Sequence, residues 1–317
     1  VTRSELVAHA RATIARGSKS FAVASGLFAP AMREQVWLLY AWCRRCDDIT
    51  DGQDHGGAMQ PVREPIAGVE AVQALTDRAL AGETIGDPAF EALGLVAKEC
   101  ALPKALVDDV IAGFRLDAAG WQPQSEDDLY HYCYYVAGAV GGLMAIIMGV
   151  SPDDDATLDR ACDLGLAFQL ANIARDVAED AAAGRCYLPH DRLRAAGVDP
   201  AKVLDPAVRP ALVAEIEWLC SASLRYEASA RTGANALPFR ARWAVLAAAN
   251  IYGGIARQVL ASHGGSLNNR AFTSKAQKLR GVAGALVAAS RRQRFVARDG
   301  LWQRPQAQSV SLPSFGK

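Results

Sequence analysis

The chain has 317 residues, 51% of them hydrophobic and 21% charged, which is ample material for a large core and excludes an intrinsically disordered protein. Lys plus Arg and Asp plus Glu each number 34, so the formal net charge is zero; this argues against tight nucleic-acid binding through a basic surface and offers no strong polybasic membrane anchor. The seven cysteines, an odd number scattered over a long chain, argue against a disulfide framework and for a reducing, cytoplasmic setting.

Apolar residues recur at spacings of three and four rather than two, and no segment alternates convincingly as a strand. The first helix is expected over 3–16; its Arg3, Glu5, Arg11 and Arg16 leave no uncharged run of the kind a secretory signal needs. A second is expected over 30–48, opened by Pro30, with Val36, Leu39, Tyr40 and Cys43 on one face. Helices at 64–81, 89–100 and 104–119 follow, each near a proline. The segment Leu129–Pro152 is 24 residues without Asp, Glu, Lys or Arg, long enough to span a bilayer. Tyr130, His131, Tyr132, Tyr134 and Tyr135 crowd one end of it, so a buried helix over 127–149 is the expectation instead. Helices at 153–180, 206–232, 239–262 and 273–297 complete the series. With no linker and no repeat at fixed period, the sequence predicts one all-α domain over residues 1–297 and a flexible C-terminal tail over 298–317.

Two segments carry candidate chemistry. The first runs from Tyr40 to Asp51 and ends in Asp47, Asp48 and Asp51. Asp47 and Asp51 are four residues apart, about 6 Å along a helix and close in azimuth. Clustered carboxylates suit a hard divalent cation; the alternative is a solvated acidic helix end. The second runs from Phe168 to Asp180. There Gln169, Asn172, Asp176 and Asp180 form one polar stripe on a helix whose Leu166, Phe168, Leu170, Ile173 and Val177 are spread around it. Such a stripe is expected to face an enclosed polar site. Two aspartate pairs on two helices, facing each other, would repel when empty and would be neutralised by divalent cations and a polyanion such as a diphosphate ester. Lys19, Arg44, Arg45, Arg175 and Arg185 lie near in sequence and can clamp phosphate oxygens. No glycine-rich nucleotide loop is present. Cys43 and Cys46 have the spacing of a zinc half-site or redox pair, but no second pair completes it and a structural role is expected.

With those residues in hand, the chain resembles the head-to-head prenyl synthases, the squalene and phytoene synthase family. The resemblance runs from about Ser18 to Arg280. It rests on Ser18-Lys19-Ser20-Phe21, on Tyr40 to Asp51, on Tyr132 to Gly141, on Gln169 to Asp180 and on Gly184-Arg185-Cys186-Tyr187-Leu188-Pro189, with a weaker match from Arg270 to Lys278. The motifs are most similar to those of the bacterial carotenoid-forming branch. The resemblance implies an all-α isoprenoid-synthase helical bundle around a central cavity. It implies condensation of two geranylgeranyl diphosphates, through the cyclopropane prephytoene diphosphate, to phytoene without NADPH. It places Mg²⁺, or Mn²⁺, on Asp47, Asp48, Asp51, Asn172, Asp176 and Asp180. It assigns substrate binding to Ser18, Lys19, Ser20, Phe21, Tyr40, Arg44, Tyr132, Val136, Gln169, Asn172, Arg175, Arg185, Arg270 and Lys278, with Arg44 and Tyr187 acting on the diphosphate. Phe21, Tyr40 and Tyr132 are expected to face an allylic cation. The small residues Ala137, Gly138, Ala139, Gly141, Gly142, Ala171 and Ala174 are expected to line the tunnel for the chain. Expected partners are the membrane surface, as a peripheral contact, and other carotenoid-pathway enzymes. The rival readings are squalene synthase with NADPH, dehydrosqualene synthase acting on farnesyl diphosphate, and a non-catalytic helical module.

Overall fold

The computed structural model describes residues 1–50, 52 and 64–305. Among these there is no strand, as the periodicity predicts. Helix α1 (Arg3–Gly17) opens on a capping box in which Thr2 and Glu5 satisfy each other's backbone N–H groups. It stops where Ser18 turns extended and caps α2 (Lys19–Ser25), a short helix not anticipated from sequence. The remaining helices are α3 (Pro30–Thr50), α4 (Pro65–Leu80), α5 (Pro88–Cys100), α6 (Lys104–Ala118), α7 (Glu126–Cys133), α8 (Ala139–Ile147), α9 (Asp155–Ala182), α10 (His190–Ala195), α11 (Arg209–Gly233), α12 (Phe239–Ala261) and α13 (Lys275–Ala289). Pro65 and Pro88 stand at helix starts, where their missing N–H costs nothing. Helix α10 is the second element the sequence did not reveal.

Helix α9 is central. It packs on α11, α8 and α12, while α1, α3, α4, α5 and α6 build the neighbouring part of the bundle. The helix expected over 127–149 is broken by a π-helical turn at Tyr134–Gly138. The turn lies at a crossing with α9 too close for side chains. A Cβ on Gly165 of α9 would lie 2.3 Å from the Ala137 carbonyl oxygen, and one on Gly141 would lie 2.5 Å from that of Ala161. The segment Leu129–Pro152 is thus two helices and a π turn buried in protein. The one described helix long and apolar enough to cross a membrane is α12. Its apolarity is explained by two packed sides, one on α9 and α11 and one on α13.

At the C-terminus α13 ends at Ala289, short of the expected 297. The chain then returns as a strap. Arg298 makes a fork to Asp163 with both distances 2.8 Å and reaches Asp159 at 3.1 Å. Arg304 binds Asp159 at 2.7 Å and also Asp155. The Trp302 indole donates to Asp127 at 2.9 Å. Residues 298–305, read from sequence as the start of a flexible tail, are therefore held by ion pairs to α9; residues 306–317 lie outside the described set.

Candidate active site

A cavity of about 500 Å³ lies along α9, between it and residues of α2, α3, the π turn, α8, α11 and α12. Its lining runs on α9 from Thr157 to Asn172, a depth of about 22 Å at 1.5 Å per residue. The walls are apolar. Phe168 stacks on Tyr252 with ring centroids 4.3 Å apart, Phe21 tilts against Tyr40 at 5.6 Å, and Met144, Met148 and Val136 fill between them. At one end Thr157 and Arg160 also line the cavity, the Arg160 guanidinium bonded to Ser229 and to the Val296 carbonyl; at the other end gather the polar groups Ser18, Tyr40, Arg44, Gln169 and Asn172.

That end is under-satisfied. The Tyr40 hydroxyl, Arg44 Nε and Asn172 Oδ1 are buried and have no hydrogen-bond partner among the described residues. Gly17 lets them crowd together, since a Cβ there would sit 2.6 Å from the Tyr40 oxygen. Burial pushes the Tyr40 hydroxyl pKa up. The helices continue past this rim in the same sense. One turn on from Arg44 comes Asp47, whose carboxylate lies 3.4 Å from Arg44. One turn on from Asn172 comes Asp176, followed by Asp180. Burial works to raise the Asp176 carboxyl, but hydrogen bonds from Arg175 at 2.5 and 2.7 Å and from Arg270 at 2.8 and 3.0 Å outweigh it and hold it below the usual carboxylate range. Among the described residues the only ion-pair partner of Asp180 is Arg185, at 3.4 Å, and burial pushes the Asp180 carboxyl up to about 6. Arg185 reaches it from a turn at Gly184, whose φ of +74° favours glycine. Arg185 Nε is likewise buried and without a partner.

The donor set suits a hard divalent cation. Asn172, Asp176 and Asp180 supply oxygens at four-residue spacing, one of them orphaned and one short of compensating charge. No group of three or more Asp, Glu, His or Cys among the described residues is already closed around a point. Asp51 lies outside the described residues, as do the side chains of Lys19 and Ser20, whose backbone opens α2.

The structure separates some residues that the sequence grouped. Tyr132 does not line the cavity. Its ring stacks with Trp121 and Tyr187 at centroid distances of 5.7 and 5.0 Å, and both tyrosine hydroxyls donate to Asp117, at 2.9 and 3.1 Å. Its aromatic face is committed to that stack, so it is not placed to meet a cation in the cavity. Asp48 lines a separate hollow with His9, Arg45 and Asp87, and Arg45 is tied to Asp87 at 2.8 Å. Lys278 lies in the first turn of α13, away from the cavity lining. Of the small residues expected in the tunnel, Ala137 and Gly141 line it; Gly138, Ala139, Gly142, Ala171 and Ala174 do not. Gly138 and Gly142 instead admit Leu166 and Leu106. Cys43 and Cys46 carry free thiols, and burial pushes Cys43 up to about 12, which makes a redox pair or thiolate ligand unsupported. Tyr252, Met144 and Met148 were missed, because single apolar residues on otherwise ordinary helices carry no signal.

An all-α bundle with a deep apolar slot ending in carboxylates and arginines is the architecture of a prenyl synthase. The sequence profile of squalene/phytoene synthases matches residues 14–277. The chain is 45% identical to a 15-cis-phytoene synthase of Paracoccus sp. over 305 residues, covering 95% of this chain and 99% of that one. It is 41% identical to a phytoene synthase of Pseudescherichia vulneris over 310 residues, covering 96% and 100%. Among solved structures, a dehydrosqualene synthase in complex with ligand superposes with a TM-score of 0.78 at 28% identity, covering 91% of this chain and 98% of that one. The chain belongs to the squalene/phytoene synthase family.

Proposed function

We propose that the chain is a phytoene synthase, joining two geranylgeranyl diphosphates head to head, through prephytoene diphosphate, to phytoene with release of diphosphate. The observation that carries this is the slot: about 22 Å of apolar wall along α9 ending at buried polar atoms without partners. A long isoprenoid chain fits the first part and a diphosphate the second. The named relatives at 41–45% identity support the same reading.

The chain's own residues divide the work. Asp47, Asp51, Asn172, Asp176 and Asp180 would hold Mg²⁺ or Mn²⁺, which when bound supplies charge to stabilise the departing diphosphate. Arg44 Nε, Arg185 Nε and the Tyr40 hydroxyl, buried and without hydrogen-bond partners among the described residues, offer donors to the same oxygens. Arg175 and Arg270 hold Asp176 ionised. The apolar walls exclude water, which would otherwise capture an allylic cation. Phe21 and Tyr40 line the cavity, and an aromatic face turned to that cation would stabilise it by about 0.5–2 kcal/mol. Association with a membrane surface belongs to the same reading, because the product is a hydrocarbon.

The test is incubation with geranylgeranyl or farnesyl diphosphate, with Mg²⁺, with and without NADPH, followed by product mass. The expected result is a forty-carbon triene-centred hydrocarbon from geranylgeranyl diphosphate, independent of NADPH and abolished by EDTA. A thirty-carbon product in preference assigns the chain to dehydrosqualene or squalene synthesis instead. Full turnover in EDTA removes the metal from the mechanism.

A further inference from the structure

The neutral net charge hides a division of the chain. Between Glu227 and Asp299 there is no carboxylate, against twelve Lys and Arg, and the rest of the sequence carries the balancing acid. Several of the twelve are consumed internally. Arg231 and Arg257 bind Glu227, Arg270 binds Asp176, Arg298 binds Asp163, and Arg240 and Arg242 cap backbone carbonyls. Lys275, Arg280, Arg291, Arg292 and Arg294 are exposed and take part in no salt bridge among the described residues. All five lie on α13 or the turn that follows it.

The same helix presents an apolar stripe to solvent. Its inner side is fixed on α12, where the Trp243 indole donates to the Val282 carbonyl at 2.9 Å and the Asn250 amide to that of Gly281 at 2.8 Å. Its outer side carries Ala276, Leu279, Ala283, Leu286 and Val287 at spacings of three and four. Leu279 is 71% exposed and Val287 57%. Phe272 and Phe295, 75% and 71% exposed, stand before and after the helix. Exposed leucines, bracketing aromatics and unpaired cations on one helix are the chemistry of an amphipathic segment lying in a lipid interface.

Two other occupants fit poorly. Residues 306–317 would bring Lys317 and no acidic side chain to a face already basic. A second copy of the same face would bring like charges together. We propose that α13 and the basic turn after it dock on an anionic bilayer surface. The face is inferred from its own charge and exposure; what docking achieves rests on the long-chain isoprenoid reading. Helix α12, directly beneath, contributes Ala244, Val245, Ala248 and Tyr252 to the cavity wall. Docking sets that wall one helix away from the lipid, where an apolar substrate arrives and an apolar product must leave.

The test is co-sedimentation of the full chain, without substrate, with phosphatidylcholine vesicles that contain or lack phosphatidylglycerol. The expected result is binding that needs phosphatidylglycerol and weakens in high salt. Each basic residue at an anionic surface contributes about fivefold. Combined Arg280→Gln, Arg291→Gln, Arg292→Gln and Arg294→Gln should therefore lower affinity by about a hundredfold to a thousandfold. Leu279→Ser with Val287→Ser should remove the binding that survives high salt. Turnover of detergent-dispersed substrate should be unchanged in both variants, which shows that they fold. Equal binding of wild type to neutral vesicles, or full binding by the arginine variant, overturns the proposal. So does a dimer seen by light scattering that the same substitutions dissolve. Loss of turnover by the wild type in detergent, with vesicle binding intact, would instead sink the enzymatic reading and leave the docking face standing.

Discussion

Helix α9 carries aspartates at four-residue spacing in both halves, and the two halves do opposite things. Near its start, Asp155, Asp159 and Asp163 are closed by Arg298 and Arg304 of the C-terminal strap. Asp163 is 1% exposed and also accepts from Ser229 at 2.5 Å. Near its end, Asp176 shares two arginines and Asp180 has a single distant one. The first set is a latch, with its acceptors filled by protein donors. The second keeps unfilled capacity beside the orphaned Asn172 oxygen. Spacing is the same in both, so spacing alone does not mark a site. What distinguishes them is how the cations are shared: two arginines span all three carboxylates of the first set, whereas in the second Arg175 and Arg270 are both spent on Asp176 and leave Asp180 with Arg185 at 3.4 Å.

The largest effect should come from opening the latch. Asp163→Ala leaves Arg298 without its main partner, and breaking a buried ion pair costs about 3–5 kcal/mol. Urea unfolding should show that loss; a midpoint unchanged from wild type would mean the strap adds nothing. At the other end, Asp176→Asn should lower turnover a hundredfold or more, on the order of 3 kcal/mol of transition-state stabilisation. Its unfolding midpoint should move less than that of Asp163→Ala, because the amide keeps one acceptor for the Arg175 and Arg270 Nε groups at a site less buried than Asp163, while its NH2 faces their remaining donors. If Asp176→Asn unfolds the chain while keeping turnover, the two ends of α9 have been assigned the wrong way round. Between these, Arg298→Ala should reproduce much of the Asp163→Ala loss, and the double variant should cost less than the sum of the two, since the pair is one interaction.

Much of this was legible beforehand, for physical reasons that can be named. Three-and-four spacing and proline starts predict eight of the helices within a few residues at both ends, while the span 127–149 divides into α7 and α8 and α13 stops short of 297. The polar stripe Gln169–Asn172–Asp176–Asp180 predicts a lined site, and Gln169 and Asn172 do line it. Tertiary partners were not legible. Nothing local says that Arg298 will return to Asp163 across the fold, so the strap reads as loose tail. Tyr132 looks like a cavity aromatic until Trp121 and Tyr187 claim its faces. The basic face of α13 was lost in a sum: a net charge of zero averages a basic C-terminal stretch with an acidic remainder. Charge has to be read by segment before it says anything about a surface.

The smallest effect, and the sharpest on substrate length, concerns small residues. Sequence places Ala139 and Ala248 in similar apolar helices, but only Ala248 lines the cavity; Ala139 is fully buried between packed helices. Enlarging each should therefore move a different quantity. Ala248→Leu intrudes on the slot from α12 and should shift preference from geranylgeranyl towards farnesyl diphosphate by about 1–3 kcal/mol, the scale on which apolar pockets discriminate by size. Its thermal midpoint should change little, because the added atoms enter space that is already open. Ala139→Leu has no such space. It should overpack the core at a cost of about 1–3 kcal/mol and leave the ratio of the two substrates where it was. Competition between the two diphosphates, read by product mass, measures the first quantity, and thermal melting measures the second. If Ala139→Leu shifts the ratio and Ala248→Leu does not, the chain of the substrate runs on the far side of the π turn, and the slot along α9 is not its path.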